Sequence, residues 1–166
     1  MKEEFITQCI IRLNENTPRV AKCLNMLSEE EVWQKPNSAT NSIANLILHL
    51  CGNIRQYIHC GLGAEADDRQ RDLEFSTAGG YSKEELLSML TQTVRKAEQT
   101  ILECDDLELN KVHMVQGFHL SGIAMIIHVV EHFSYHTGQI ALLTKMLKNE
   151  DLGFYAGQNL NAHNES

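Results

Sequence analysis

The sequence predicts an all-α four-helix bundle whose second and third helices are joined by a long crossover connection. Three observations predict it. Four segments repeat apolar residues at three- and four-residue spacing, only two prolines interrupt 166 residues, and residues 62 to 80 form a glycine-bearing, charged stretch between the middle two segments.

The first helix is expected over residues 2 to 27, where Phe5, Cys9, Ile10, Leu13, Val20, Leu24 and Leu27 make the apolar stripe. Pro18 lacks an amide donor and is expected to kink or divide it. Ser28 followed by Glu29, Glu30 and Glu31 has the form of a capping box, opening a short turn of helix through Trp33 that Lys35-Pro36-Asn37 closes. The second long helix starts at Asn41 or Ser42 and runs to about Gly61, with Ile43, Leu46, Ile47, Leu50, Ile54 and Ile58 on one side. Residues 62 to 80 read as a long loop. Ser82 with Glu85 caps a third helix that Leu86, Leu90, Val94, Ala97 and Ile101 carry to about Cys104. Between it and the last helix, only Val112 to Val115 suggests a short extended piece. The fourth helix spans Ser121 to Lys148. Residues 1 to 152 thus read as one domain and the polar residues 153 to 166 as a loosely ordered tail.

Composition narrows the partners. A formal net charge of -8 disfavours a nucleic-acid backbone or an anionic membrane surface, both of which reward clustered lysine and arginine. Small molecules or proteins fit better. No N-terminal stretch has the order of a signal peptide and no uncharged run approaches the roughly 20 residues that span a bilayer, so the reading is cytoplasmic. Cys9, Cys23, Cys51, Cys60 and Cys104 are odd in number, lack CxxC spacing and sit mostly inside helical patterns, as reduced core residues do. Cys51 lies two residues from His49, about 200° around a helix, and should not share its ligand sphere.

The chemistry is concentrated in histidine. His128, His132 and His136 stand four apart within the last helix, and an i, i+4 step leaves two imidazoles on one face about 6 Å apart along the axis. Two of them can converge on one ion. All three do so poorly, because His128 and His136 are roughly 12 Å apart along the axis and metal to nitrogen bonds are about 2 Å. Met125, Val129, Ile140 and Leu143 flank His132 on the wheel, so the stripe faces inward. A lone histidine there would read as a core residue with a satisfied hydrogen bond. Three in register need more partners than their own face offers, since it carries no carboxylate. His49, mid-helix beside an apolar stripe, is the best third ligand, joined by two histidines of the last helix. Spacing leaves open which two.

Two segments are more specific. Asn41-Ser42-Ile43-Ala44-Asn45-Leu46-Ile47-Leu48-His49-Leu50 and Glu131-His132-Phe133-Ser134-Tyr135-His136-Thr137-Gly138-Gln139-Ile140 resemble the DinB-like, YfiT-like family of metalloproteins. In that family a histidine of the second helix joins an HxxxH pair on the last, followed by Gly-Gln. The resemblance covers nearly the whole bundle. It implies a divalent metal on His49, His132 and His136, a homodimer, and in characterised relatives the use of low-molecular-weight thiols in S-transfer or isomerisation. His128 then falls outside the triad, as a neighbouring buried residue or as one that supports a ligand from behind.

Three neutral imidazoles would leave a divalent ion with an open position, the arrangement of a catalytic rather than a closed structural site. Such an ion would deprotonate a thiol for attack on an electrophilic carbon. Zinc is the default, with nickel, iron or manganese as alternatives, because imidazole discriminates poorly among them. Arg69 and Arg71 are candidate grips for a carboxylate or phosphate of the thiol, against the plainer reading of a solvated loop. Gln139 is a candidate partner for a ligand histidine, against simple helix packing. A di-iron carboxylate site is excluded, since Glu131 points about 100° away from His132. The competing readings are a metal-binding, stress-associated bundle without catalysis, and a structural bundle with core histidines.

Overall fold

The computed structural model describes residues 1–164. Four long helices form the frame: α1 (Lys2–Met26), α3 (Ile43–Ile54), α5 (Lys83–Glu103) and α7 (Gly122–Lys148). Short helices lie between them, α2 (Glu29–Trp33), α4 (Arg71–Ser76) and α6 (Asp106–Asn110), with a hairpin of β1 (Val112–Val115) and β2 (Phe118–Ser121) before α7. Each long helix packs on two others. α1 touches α5 and α7, and α3 touches the same two, so α1 and α3 face each other across the core.

The helix starts are written in the sequence. Ser28 with Glu31, Ser42 with Asn45, and Ser82 with Glu85 each form a reciprocal capping box, and Ser121 accepts from the Ala124 amide at the head of α7. Each pairing satisfies amides that the first turn leaves free. The interior is then filled by Leu13, Val20 and Leu24 of α1, Ile47, Leu50 and Ile54 of α3, Leu86, Leu90 and Ile101 of α5, and Ile126, Val129 and Phe133 of α7, all buried. At about 1.5–3 kcal/mol for each large apolar side chain, this burial is the main force holding the bundle together.

Pro18 does not divide α1, which runs unbroken through it. Buried Leu13 before it and Val20, Cys23 and Leu24 after it continue one stripe against the core. That packing outweighs the lost backbone bond.

The long connection between α3 and α5 is a crossover. Asn45, near the start of α3, bonds the Thr77 carbonyl just ahead of α5, while His59 beyond the end of α3 bonds the Thr93 carbonyl midway along α5. The two helices are therefore parallel, and the intervening chain must return along their length. α3 first continues as a π-helical segment, Arg55–Cys60. The return is not the plain loop that the glycines and charges of residues 62 to 80 suggest. It contains α4, packed on α3. A six-residue helix has little stability of its own. Asn45 Nδ2 holds it by donating to the Glu74 and Thr77 carbonyls at 2.9 and 2.8 Å.

The hairpin turns through Gln116 and Gly117, both at positive φ (52° and 82°), as a two-residue turn between paired strands demands. The Tyr57 hydroxyl donates to Gln116 Oε1 at 3.0 Å, tying the hairpin to the π-helical segment. Residues beyond α7 return over α1, where Lys22 Nζ donates to the Gly153 carbonyl and the Arg19 guanidinium lies over the Phe154 and Tyr155 rings. The last two residues of the expected tail, Glu165 and Ser166, lie outside the described residues.

Candidate metal centre

α3 and α7 are neighbours, and their packing brings His49, His132 and His136 together. One ring nitrogen from each lies within 4.8 Å of the others. His49 Nε2 is 2.9 Å from His132 Nε2, and the His136 ring meets both, with centroids 5.0 Å from His49 and 4.4 Å from His132. Nitrogens that share one metal at bonds of about 2.0–2.1 Å stand roughly 3 Å apart. The triad is compact enough for a single ion.

Groups behind the triad fix which nitrogen faces inward on two of its rings, His49 and His136. Glu74 Oε2 lies 2.8 Å from His49 Nδ1. A carboxylate only accepts, so His49 carries its proton on Nδ1 and turns the Nε2 lone pair toward His132. His136 repeats the arrangement on α7: its Nδ1 is 2.7 Å from Gln139 Oε1, an acceptor, which frees Nε2. Such outer partners set the tautomer and orientation of metal-binding histidines.

Glu74 was not visible as a site residue in the sequence, where it sits in a charged run of the presumed loop. Three residues of α3 explain its position. Asn45, His49 and Gly52 are four and three residues apart and share one face. Asn45 grips the Glu74 backbone, His49 its carboxylate, and Gly52 leaves room, since a Cβ there would stand 2.0 Å from Glu74 Oε1. The partial signal was a glycine three residues after His49 within an apolar helix.

Arg69 completes the clamp. Its Nε donates to Glu74 Oε1 at 2.7 Å and its Nη2 to Oε2 at 2.8 Å, while Nη1 donates to Gln56 Oε1 at 2.8 Å. Both charged side chains are largely buried. The structure thus places Arg69 against the back of the site, engaged with protein groups. Arg71 lies away from the triad with its guanidinium over the Phe75 ring, 4.9 Å from the centroid. Phe75 in turn packs on the His49 ring at 4.7 Å.

Electrostatics favour neutral imidazoles. Burial, with His136 and His49 close by, pushes His132 down to about 3. Burial also lowers His136, against the opposing hydrogen bond of Gln139. Glu74 is pushed up by burial, yet the hydrogen bonds from Arg69 and His49 outweigh that and hold the carboxyl below its usual range. His132 and His136 therefore offer uncharged nitrogen donors, and one carboxylate anion stands behind His49, which suits a cation.

His128 stands outside the triad. It stacks on Tyr57 with centroids 4.2 Å apart, and Asn53 Nδ2 is 3.2 Å from its Nε2. Burial lowers its pKa. Of the other histidines, His59 is buried against the Thr93 carbonyl and His113 lies in β1 beside Glu108. His119 is exposed in β2, and His163 in the tail. All five cysteines are free thiols. Cys51 is buried, and burial pushes it up to about 12, so it remains a protonated core residue.

Of the triad, His132 borders a cleft open to solvent. A cleft of about 780 Å³ runs between α1 and α7, with His128 and His132 among its walls, a size that suits a small molecule.

Similarity to known proteins agrees with this architecture. Residues 1–156 match the family described as protein of unknown function (DUF1572). No curated protein matches the chain. Among solved structures, a conserved protein from Enterococcus faecalis superposes with a TM-score of 0.72 at 12% identity, covering 87% of this chain and 97% of that one. A DinB-like protein from Bacillus cereus gives 0.67 at 16% identity over 87% and 91%. The DinB-like protein YjoA from Bacillus subtilis gives 0.68 at 15% over 89% and 96%. At these identities the likeness is one of fold, and it bears out the DinB-like helical bundle expected from the two histidine segments.

Proposed function

The chain belongs to the DUF1572 family, and from the convergence of its three histidines we propose that it holds one divalent transition-metal ion and activates a low-molecular-weight thiol for transfer to an electrophile. The observation that carries this reading is the tautomer pattern. His49 and His136 each spend Nδ1 on an acceptor, Glu74 and Gln139, and so present Nε2 to a common point that also receives His132.

His49, His132 and His136 would hold the ion. When bound through neutral ligands with a position open, such an ion supplies positive charge that lowers the pKa of a thiol or water. The rest falls to the chain. Glu74 and Arg69 fix the His49 ring, and Gln139 fixes the His136 ring. The cleft at His132 admits the reactants. In the transfer itself the thiol gives its proton to solvent and sulfur bonds to the electrophilic carbon; an aryl halide then expels halide with the bonding pair, whereas an epoxide oxygen or a maleimide carbon keeps that pair and takes up a proton. Zinc is the first ion to test, with nickel, iron and manganese next, and the proposal includes a small-molecule substrate and a homodimer.

The test is turnover by metal-loaded protein with several thiols against aryl halide, epoxide and maleimide-type acceptors. The expected result is metal-dependent thioether formation that His136→Ala abolishes. Full metal occupancy without turnover on any pair would leave a metal-binding bundle without catalysis.

A further inference from the structure

The cleft between α1 and α7 carries more information than its proximity to the triad. Arg12, Asn16 and Arg19 of α1 line it at four- and three-residue spacing, on one helix face. Opposite them lie His132 and, at the exposed rim, Glu131. The charges are not equivalent. Arg12 is occupied by Glu15 through two bonds of 2.9 and 3.1 Å. Arg19 makes no ion pair among the described residues. Its guanidinium is held over the Tyr155 ring, 5.5 Å from the centroid, and its Nη2 reaches the Tyr155 hydroxyl at 3.4 Å.

We infer that this cleft binds a small monocarboxylate, with Arg19 taking the carboxylate and the remaining end directed at His132. A planar guanidinium pre-positioned by an aromatic ring matches a carboxylate. Glu131 at the rim repels more highly charged anions, which favours a carboxylate over a phosphate. The inference rests on the proposed thiol chemistry only for what sits at the His132 end, so the two can fail separately.

The experiment is calorimetric titration with three probes: N-acetylcysteine, N-acetylcysteamine, which lacks the carboxylate, and N-acetylalanine, which lacks the thiol. Zinc-loaded protein should bind N-acetylcysteine at least about tenfold more tightly than N-acetylcysteamine. Arg19→Gln should erase that preference at unchanged zinc content, and Arg19→Lys should restore part of it. Metal-free protein should still bind N-acetylalanine through Arg19, whether or not zinc is taken up. Equal affinity for the first two probes, or a preference that survives Arg19→Gln, overturns the inference.

Discussion

Glu74 Oε2 lies 2.8 Å from His49 Nδ1, joining the short helix of the crossover to a histidine of the bundle core. The bond settles the tautomer of His49 and anchors its ring. Loss of such an outer-shell partner typically costs 10–100-fold in metal affinity. Glu74→Gln should therefore weaken metal binding by about that factor while the fold persists. Glu74→Ala should do more, because it strands the buried Arg69 charge, at about 3–5 kcal/mol of stability. Competition with a chelator and thermal melting separate the two effects.

Gly52→Ala provides a test with an unusual sign. In an ordinary helix interior the change stabilises by about 1 kcal/mol. Here the new Cβ would stand 2.0 Å from Glu74 Oε1, so the carboxylate must leave its place. The melting temperature should fall and metal affinity with it. A rise in melting temperature at full affinity would remove Glu74 from the account of the site.

Acid should destabilise the metal-free protein along a defined course. His132 is lowered to about 3 and His136 is lowered too, both chiefly by burial. Between their folded values and the ordinary 6.5, the unfolded chain binds more protons, so stability rises with pH in that window. The contribution is complete above about 6.5 and is lost as pH falls toward 3. Glu74, also lowered on balance, adds a loss of the same sign below its ordinary 4.5. Denaturant midpoints should hold from pH 7.5 to about 6.5 and then fall toward pH 4, and His132→Phe should flatten the curve.

His128 gives a negative control within the same helix. Its ring is taken up by Tyr57 and Asn53, outside the group that converges. His128→Ala should leave metal stoichiometry unchanged in elemental analysis. Loss of the metal in this variant would mean that a different HxxxH pair binds.

The frame of this protein was legible because its signals are local. Apolar periodicity and the Ser-x-x-Glu or Ser-x-x-Asn boxes depend on residues within one or two turns. His49 and His132 could be paired in outline because each lies on the inner side of a strongly patterned helix. α4 was not legible, since it exists through Asn45 and the core beneath it rather than through its own sequence. Glu74 went with it. Its run of charges reads as solvated loop until the crossover folds it onto Gly52, a contact between positions with no shared pattern. At Pro18 the reverse holds: the local rule that would divide the helix yields to tertiary packing along α1.

The most direct test of the central claim is metal content by elemental analysis of gently purified protein, beside His132→Ala. The triad predicts about one equivalent of a transition metal per chain, lost in the variant. Protein that takes up no metal even after reconstitution, or a variant that retains it, would contradict the claim.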